Sequence, residues 1–270
     1  MKITKGKVIL VALIAYFTTF AFININKEKE LNKKILKEVV YVTDGKVDSK
    51  NEGKLVLVSG KIAYDNLVTF LELEDFATIK ISRKVEDYKK VYDEDDNEYT
   101  LEWEERTEPL GGDNYIDQLV SEEKVANISI GEFTLDKKGL SLIPADSYYS
   151  KQEKIGDLIT SGIDYQRDPH EEDLKVGDVK LTYKYYDLDK YPNMTILAVQ
   201  KGNSFIPYQV DKKKDFYQVF TKIVDNKKDL EKELKANVKR TTKGKFLFIA
   251  MILGVGVFFI VDSKKGKNEK

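Results

Sequence analysis

Ile79-Lys80-Ile81-Ser82-Arg83-Lys84-Val85-Glu86 and Tyr99-Thr100-Leu101-Glu102-Trp103-Glu104 both alternate in character with a period of two. In an extended chain successive side chains point to opposite faces, so each stretch presents one apolar face. Between them Asp93-Glu94-Asp95-Asp96-Asn97-Glu98 is an acidic, turn-forming tip. The pattern predicts a β-hairpin with one buried face, in which Trp103 anchors the strand facing Ile79, Ile81 and Val85. Arg83 interrupts that apolar face. An unpaired charge there is costly, so a carboxylate is expected beside it, from Glu102, Glu104 or elsewhere in the domain.

Outward from the hairpin the signals are mostly extended. Lys54–Ile62 reads as a strand, with Leu55, Val56, Leu57 and Val58 contiguous and Gly53 and Gly60 at its bounds. Val125–Phe133 reads as extended, and Val179, Leu181, Tyr183 and Tyr185 alternate with polar neighbours. Met194–Gln200 and Phe205–Val210 flank Lys201-Gly202-Asn203-Ser204, a second hairpin with a glycine in its turn. Asp113 is placed to cap a short helix through Val120, and after the extended stretch ending at Phe133 a loop runs through Pro144. Lys151–Gly177 is polar and irregular. Leu31, Ile35 and Val39 form a helical stripe near one end of the chain. Phe216, Phe220, Ile223 and Val224, then Leu230, Leu234 and Val238, read as another near the other end. The expected class is α+β, a strand-rich domain closed by helices at both ends.

Val8–Ile25 and Phe246–Val261 carry no charge in a chain that is 34 % charged. As helices their 18 and 16 residues span about 27 Å and about 24 Å, near the hydrocarbon thickness of a bilayer. Lys245 and Lys264 can snorkel beside the shorter run. A cleaved signal peptide is the alternative for the first run, but it continues apolar past the poor cleavage site Thr19-Phe20-Ala21. Residues 8–25 and 246–261 are therefore expected to span the membrane, enclosing an extracytoplasmic domain at 26–245. The flanks 1–7 and 262–270 sum to +5 and the rest of the chain to −6, which places both flanks in the cytoplasm.

Composition excludes several chemistries. With 16 Tyr and 13 Phe in regular patterns, disorder is not the class of the chain. Without cysteine there is no disulfide framework, thiolate metal site or cysteine nucleophile. The one histidine, His170, rules out a multi-histidine metal site within the chain. In Asp168-Pro169-His170-Glu171-Glu172-Asp173 it has the neighbours of a general base, yet no nucleophile elbow or phosphate loop accompanies it. Asp93, Asp95 and Asn97 follow the spacing of a calcium loop, with Glu104 eleven residues after Asp93. Glu98 stands where the sharp turn of that loop needs glycine, so a solvated hairpin tip is the better reading. Lys27, Lys29, Lys33 and Lys34, with Lys239, Arg240, Lys243 and Lys245, suit anionic lipid headgroups. The net acidic domain does not suit nucleic acid.

Six stretches, in order, resemble the transmembrane protein 43 family. Asn51-Glu52-Gly53-Lys54 through Gly60 is similar to the family's opening motif. Arg83-Lys84-Val85-Glu86-Asp87-Tyr88 resembles its Arg-x-Val-Glu-x-Tyr strand, and Trp103 falls where its following Trp belongs. Ile130-Gly131-Glu132-Phe133-Thr134-Leu135 is similar to its Gly-x-Phe-x-Leu segment. Gly177-Asp178-Val179-Lys180, and Gln200-Lys201-Gly202 followed by Pro207, resemble its later Gly-Asp strand and Gln-x-Gly turn. The resemblance implies one N-terminal span, a large hydrophilic domain across the membrane and several C-terminal spans, of which this chain has one. It implies a self-associating scaffold that touches membrane proteins, and it brings no catalytic residues. Only four arginines among 45 basic residues suggest an A+T-rich, bacterial genome and a cell-membrane location; in a eukaryote the endoplasmic reticulum or nuclear envelope would take its place.

The expected protein is a non-enzymatic membrane scaffold or sensor without cofactor or metal. Its expected partners are membrane lipids, further copies of itself and a membrane protein. Gly53, Gly60, Arg83, Glu86, Tyr88, Trp103, Gly131, Gly177, Asp178, Gln200 and Gly202 are its structural or interaction candidates. The rival reading is a membrane-tethered hydrolase or lipid-modifying enzyme using His170 and nearby carboxylates.

Overall fold

The computed structural model describes residues 5–93, 98–167, 174–211, 214–240 and 244. The chain forms two compact units, one of Val42–Ile223 and one of Met1–Tyr41 with Val224–Lys270.

The smaller unit is helical. α1 (Lys5–Glu38) is one 34-residue helix that contains the first apolar run. Its Leu31 and Ile35 are buried, as are Leu230 and Leu234 of a second helix over residues 227–240. Asn32 Nδ2 donates to the Leu234 carbonyl oxygen at 3.2 Å, so the two helices lie side by side. Asn226 starts the second helix by accepting the Asp229 amide at 3.0 Å, satisfying one of the donors a helix leaves open. Among the described residues no helix is long and apolar enough to cross a membrane. The second apolar run lies outside the described residues, as do most side chains of the first.

The larger unit is built mostly of strands. β1 (Val40–Val42) precedes it, followed by β2 (Leu55–Tyr64), β3 (Lys80–Asp93) and β4 (Glu98–Glu105). α2 (Tyr115–Gln118) leads to β5 (Glu122–Val125), β6 (Ile128–Ile130) and β7 (Phe133–Thr134). After α3 (Lys137–Ser141) come β8 (Ser147–Tyr148), β9 (Lys154–Ile155), β10 (Leu158–Ser161) and β11 (Asp164–Gln166). β12 (Val179–Tyr185), β13 (Asn193–Lys201) and β14 (Ser204–Ile206) follow. β15 (Tyr208–Asp211), β16 (Lys214–Phe216) and β17 (Gln218–Phe220) complete the unit.

One sheet runs β14-β13-β2-β6-β7, with β17 beside β13. Leu55 to Val58 and Met194 to Gln200 are buried without a break, which explains why these strands read as continuous apolar runs. The polar pair inside them is satisfied: Ser59 and Thr195 stand opposite, their hydroxyls 2.8 Å apart. The other sheet runs β4-β3-β12-β11-β10-β9, with β5 beside β3 and β8 beside β12. Its inner face carries Ile81, Val85, Val179, Leu181, Tyr183 and Tyr165, packed with Phe70, Leu73, Ile116 and Leu119. The last four come from a loop and from α2 with its C-cap, so a short helix and a loop form the lid of this core.

Several sequence expectations are corrected. β4 is not half-buried: Tyr99 and Leu101 are 62 % and 52 % exposed. The reason is register, because β4 pairs with Glu86–Asp93, beyond the core, while Lys80–Arg83 pair with β5. Phe216 and Phe220 lie in β16 and β17, not in a helix. Asn114 rather than Asp113 caps α2, accepting the Ile116 amide at 3.0 Å. Residues 151–177 hold three short strands, and the loop toward Pro144 holds α3. Gly60 sits within β2 rather than at its end.

Just after β4, Arg106 enters the core, with 1 % of its side chain exposed. It grips both carboxylate oxygens of Asp87 and donates to the carbonyls of Ile116 and Leu119, tying β3 to the end of α2. Removing one partner of such a pair strands a buried charge, so Arg106→Ala should destabilise the chain by about 3–5 kcal/mol. Arg167→Ala, which breaks an exposed pair with Asp157, should cost about 1 kcal/mol or less. Urea unfolding followed by the fluorescence of the single tryptophan checks both.

Candidate functional site

The motif stretches separated in sequence meet in space. The Gly53 amide donates to the Gln200 carbonyl oxygen at 3.0 Å, and the Gln200 amide to that of Lys54 at 3.0 Å. The Gln200 side-chain amide donates to the Asp48 carbonyl at 2.9 Å, and the Gly202 amide to Glu52 Oε2 at 2.8 Å. The opening motif and the Gln-x-Gly turn are therefore one hydrogen-bonded joint. Gly131, at φ +59°, lies so close to Gly45 that a Cβ would sit 2.3 Å from the Gly45 carbonyl oxygen. Both its conformation and the close approach require glycine. A Cβ on Gly60 would meet Ile130 Cγ2 at 2.8 Å. In the other sheet Tyr88 accepts from the Gly177 amide at 3.0 Å and donates to the Asp178 carbonyl at 2.8 Å. These bonds extend the β3–β12 ladder by one further pair.

Arg83 organises the second cluster. It lies on the inner face of β3 opposite Tyr183, with 7 % of its side chain exposed. Its principal partner is Glu72, 2.5 Å from Nη1 and 4 % exposed, a loop residue that sequence reasoning missed. Tyr183 donates to Glu72 Oε1 at 2.8 Å and Tyr115 to Oε2 at 3.1 Å. Arg83 Nε donates to the Val120 carbonyl at 2.8 Å, Nη2 reaches Glu122 at 3.4 Å, and the guanidinium lies 4.3 Å from the centroid of the Phe70 ring. Burial pushes the Glu72 carboxyl up, but the hydrogen bonds and charge of Arg83 outweigh it and hold the group below its usual range. Burial, then the Glu72 charge, raises the Tyr183 hydroxyl far above its ordinary value and Tyr115 to about 12. All three groups are thus fixed in one protonation state at neutral pH: carboxylate, phenol and phenol.

The outer face of the same sheet is a charged trough of about 640 Å³. Ser82, Lys84 and Glu86 of β3 alternate with the inner-face residues and stand opposite Lys184, Thr182 and Lys180 of β12. Glu86 is held by Lys84 at 2.6 Å and Lys180 at 3.1 Å. Burial raises its carboxyl, yet these two hydrogen bonds prevail and keep it below the usual range. Trp103 is half-buried on this face, its ring 5.3 Å from Tyr88 and under the Lys180 ammonium at 4.4 Å. It packs on the outer face beside Lys180 and Tyr88 and is not the core anchor that alternation suggested. Lys184 lies over Tyr148 at 5.1 Å, and Asp164 accepts from Thr182 at 2.5 Å. The trough pairs cations with carboxylates and has one aromatic side chain, Tyr148, in its lining.

The tip at 94–97 and His170 lie outside the described residues. Among the described residues no group of three or more acidic or histidine side chains is arranged to hold a metal ion.

A family model described as transmembrane protein 43 matches residues 81–262. The chain belongs to the transmembrane protein 43 family. The matched residues begin within β3 and take in Arg83, Trp103, Gly131, Gly177 and Gln200, and they run through the second apolar run. The Asn51–Gly60 stretch precedes the matched range. No curated protein and no solved structure matched the chain.

Sequence could find Arg83, which breaks an apolar alternation, but not Glu72, whose surroundings carry no periodicity. Arg83→Ala should destabilise the chain by about 3–5 kcal/mol, and half-exposed Lys84→Ala by about 1 kcal/mol or less. Trp103→Ala should cost about 1–2 kcal/mol, the range of its aromatic and cation–π contacts rather than of a buried core ring. Because the folded chain depresses the Glu72 pKa, the stability it contributes is present above the ordinary value of 4.5 and is lost as the pH falls below it. Glu72→Gln should therefore lower the urea midpoint at pH 7 and flatten its decline in acid.

Proposed function

We propose that this member of the transmembrane protein 43 family is an integral membrane scaffold or sensor, anchored by residues 8–25 and 246–261. It holds the β-rich unit outside the cytoplasm and is not an enzyme. The observation that carries this reading is the use made of the family-like residues. Gly53, Gln200 and Gly202 close on one another, Gly131 closes on Gly45, and Tyr88 closes on Gly177 and Asp178. They are spent on holding a rigid platform, and the charged trough is the face that the platform presents. A protein partner with a mixed-charge surface fits that face, and membrane lipids and further copies of the chain complete the expected partners. In a bacterium the platform would stand outside the cell membrane.

The charge of the short flanks supports the orientation, +5 against −6 for the remainder. The cysteine-free sequence gives a direct test, since single cysteines at Asn97 and Asn268 are the only thiols in each variant. In intact cells an impermeant thiol reagent should label the variant at 97 and spare the one at 268. The reverse pattern would invert the assignment. For the trough, Lys84→Gln with Lys184→Gln should abolish crosslinks to a partner in native membranes while costing the chain only about 1 kcal/mol or less by urea unfolding.

A further inference from the structure

β3 runs on past the strand that flanks it. Among the described residues its main-chain bonds on the β12 side end at Tyr88, whereas β3 continues to Asp93 with β4 alone beside it. Residues 89–93 and 98–102 therefore form a two-stranded arm beyond the core, and a two-stranded ribbon is marginal without a third strand or a helix against it. Two cross-strand aromatic contacts link the arm, Tyr88 with Trp103 at 5.3 Å and Tyr92 with Tyr99 at 5.0 Å. These rings share one face with Leu101, and that face is open: Tyr99, Leu101 and Tyr92 are 62 %, 52 % and 46 % exposed.

The outer edge of β4 has no main-chain partner among the described residues. The Arg106 amide donates to the Val85 carbonyl at 2.8 Å, and Tyr88, opposite Trp103, bonds away from β4 to Gly177 and Asp178. By the alternation of an antiparallel ladder, the amides and carbonyls of Tyr99, Leu101, Trp103 and Glu105 then point outward. The same alternation divides the side chains. Tyr99, Leu101 and Trp103 stand on one face, and Glu98, Glu102 and Glu104 on the other. Lys89 of β3 binds Glu104 at 3.2 Å, while Glu98 and Glu102 form no ion pair among the described residues. A second copy does not suit this edge. With two antiparallel β4 strands centred on Leu101, Glu98 stands opposite Glu104, and centred on Glu102 that residue stands opposite itself, so like charges oppose the pairing.

We infer that β4 accepts an added antiparallel strand from a partner protein, an extended segment in which apolar residues alternate with lysine or arginine. The apolar residues lie beside Tyr99, Leu101 and Trp103 and exchange main-chain bonds with them. The basic residues lie on the other face, beside Glu98, Glu102 and Glu104. Main-chain bonds supply the affinity and the alternating side chains supply the choice of segment. The added strand also gives the arm the third strand that it lacks. The trough lies across β3 and β12, so this edge is a second docking surface, and it depends neither on the trough nor on the anchoring reading.

The test titrates the full chain, in nonionic detergent, with short synthetic peptides free of tryptophan. The fluorescence of Trp103, the one tryptophan of the chain, then reports on the arm. A peptide of alternating lysine and valine should give a saturable shift, and one of alternating glutamate and valine should bind at least about tenfold more weakly. N-methylation of the valine amides, which face β4 in the antiparallel pairing, should abolish binding, whereas methylation of the lysine amides, which face away, should leave it. Leu101→Pro removes one outward N–H at a sheet edge, where proline is tolerated, and should weaken the peptide at least about tenfold while the unfolding transition persists. Glu98→Gln with Glu102→Gln should weaken it about tenfold, and Lys84→Gln with Lys184→Gln should leave it unchanged. No saturable shift, equal binding of the lysine and glutamate peptides, or binding that survives valine methylation would overturn the inference. These peptide arms decide it even where Leu101→Pro unfolds the chain.

Discussion

A guanidinium can enter the core of a sheet only where an anion and hydrogen-bond acceptors already wait for it, and Arg83 meets that condition through Glu72, Tyr183, Val120 and Phe70. Tyr183 is its cross-strand neighbour, Val120 lies just after α2, and Glu72 and Phe70 belong to the loop between the two halves of the unit. One side chain thus ties two central strands, a loop and the end of a helix into a single arrangement. Arg106 repeats the device with Asp87 and the carbonyls at the end of α2. Such buried pairs add little net stability against an apolar core of equal volume, but they penalise any arrangement that separates their members. They define one geometry for the lid of loop and helix over the inner face.

With the inner face closed, period two sends the intervening residues outward, and these compose the trough. Lys84, Glu86, Lys180 and Lys184 are displayed at fixed spacing because Arg83, Val85, Leu181 and Tyr183 are fixed beneath them. The backbone that displays the trough is therefore the same one that the core beneath it fixes. The other sheet contributes rigidity by a different route. Its two central strands are apolar on both faces, and its motif turns are joined by main-chain hydrogen bonds and by the tight contact of Gly131 with Gly45.

Legibility in the sequence followed the range of the interactions. The strands around Leu55–Val58, Val179–Tyr185 and Met194–Gln200, the Gly202 turn and the helical stripes at Leu31 and Leu230 depend on local periodicity, and they stand where periodicity put them. Arg83 was conspicuous as a charge on an apolar face. Its partner was not, since Glu72 comes from a loop whose placement depends on the finished core. The near strand offered Glu102 and Glu104, but register carried β4 past the core and left Trp103 on the outer face. The same limit hid Arg106 and Asp87, each of which looks like one more charge in a charged stretch. β16 and β17 misled for a related reason: Phe216 and Phe220, four apart, mimic a helical stripe where two short strands each bury one aromatic residue.

The dependence of the larger unit on the Arg83–Glu72 contact is tested most directly by a double-mutant cycle on the full chain, with Arg83→Met, Glu72→Leu and both together followed by urea unfolding. The two single changes should each be costly. Arg83→Met leaves the buried Glu72 carboxylate without a counter-charge, and Glu72→Leu leaves Arg83 only its longer contact with half-exposed Glu122. The double change should cost less than their sum by about 2–3 kcal/mol. Single effects that add to within about 0.5 kcal/mol would show that the two side chains do not depend on each other, and would contradict the place given to this pair at the centre of the fold.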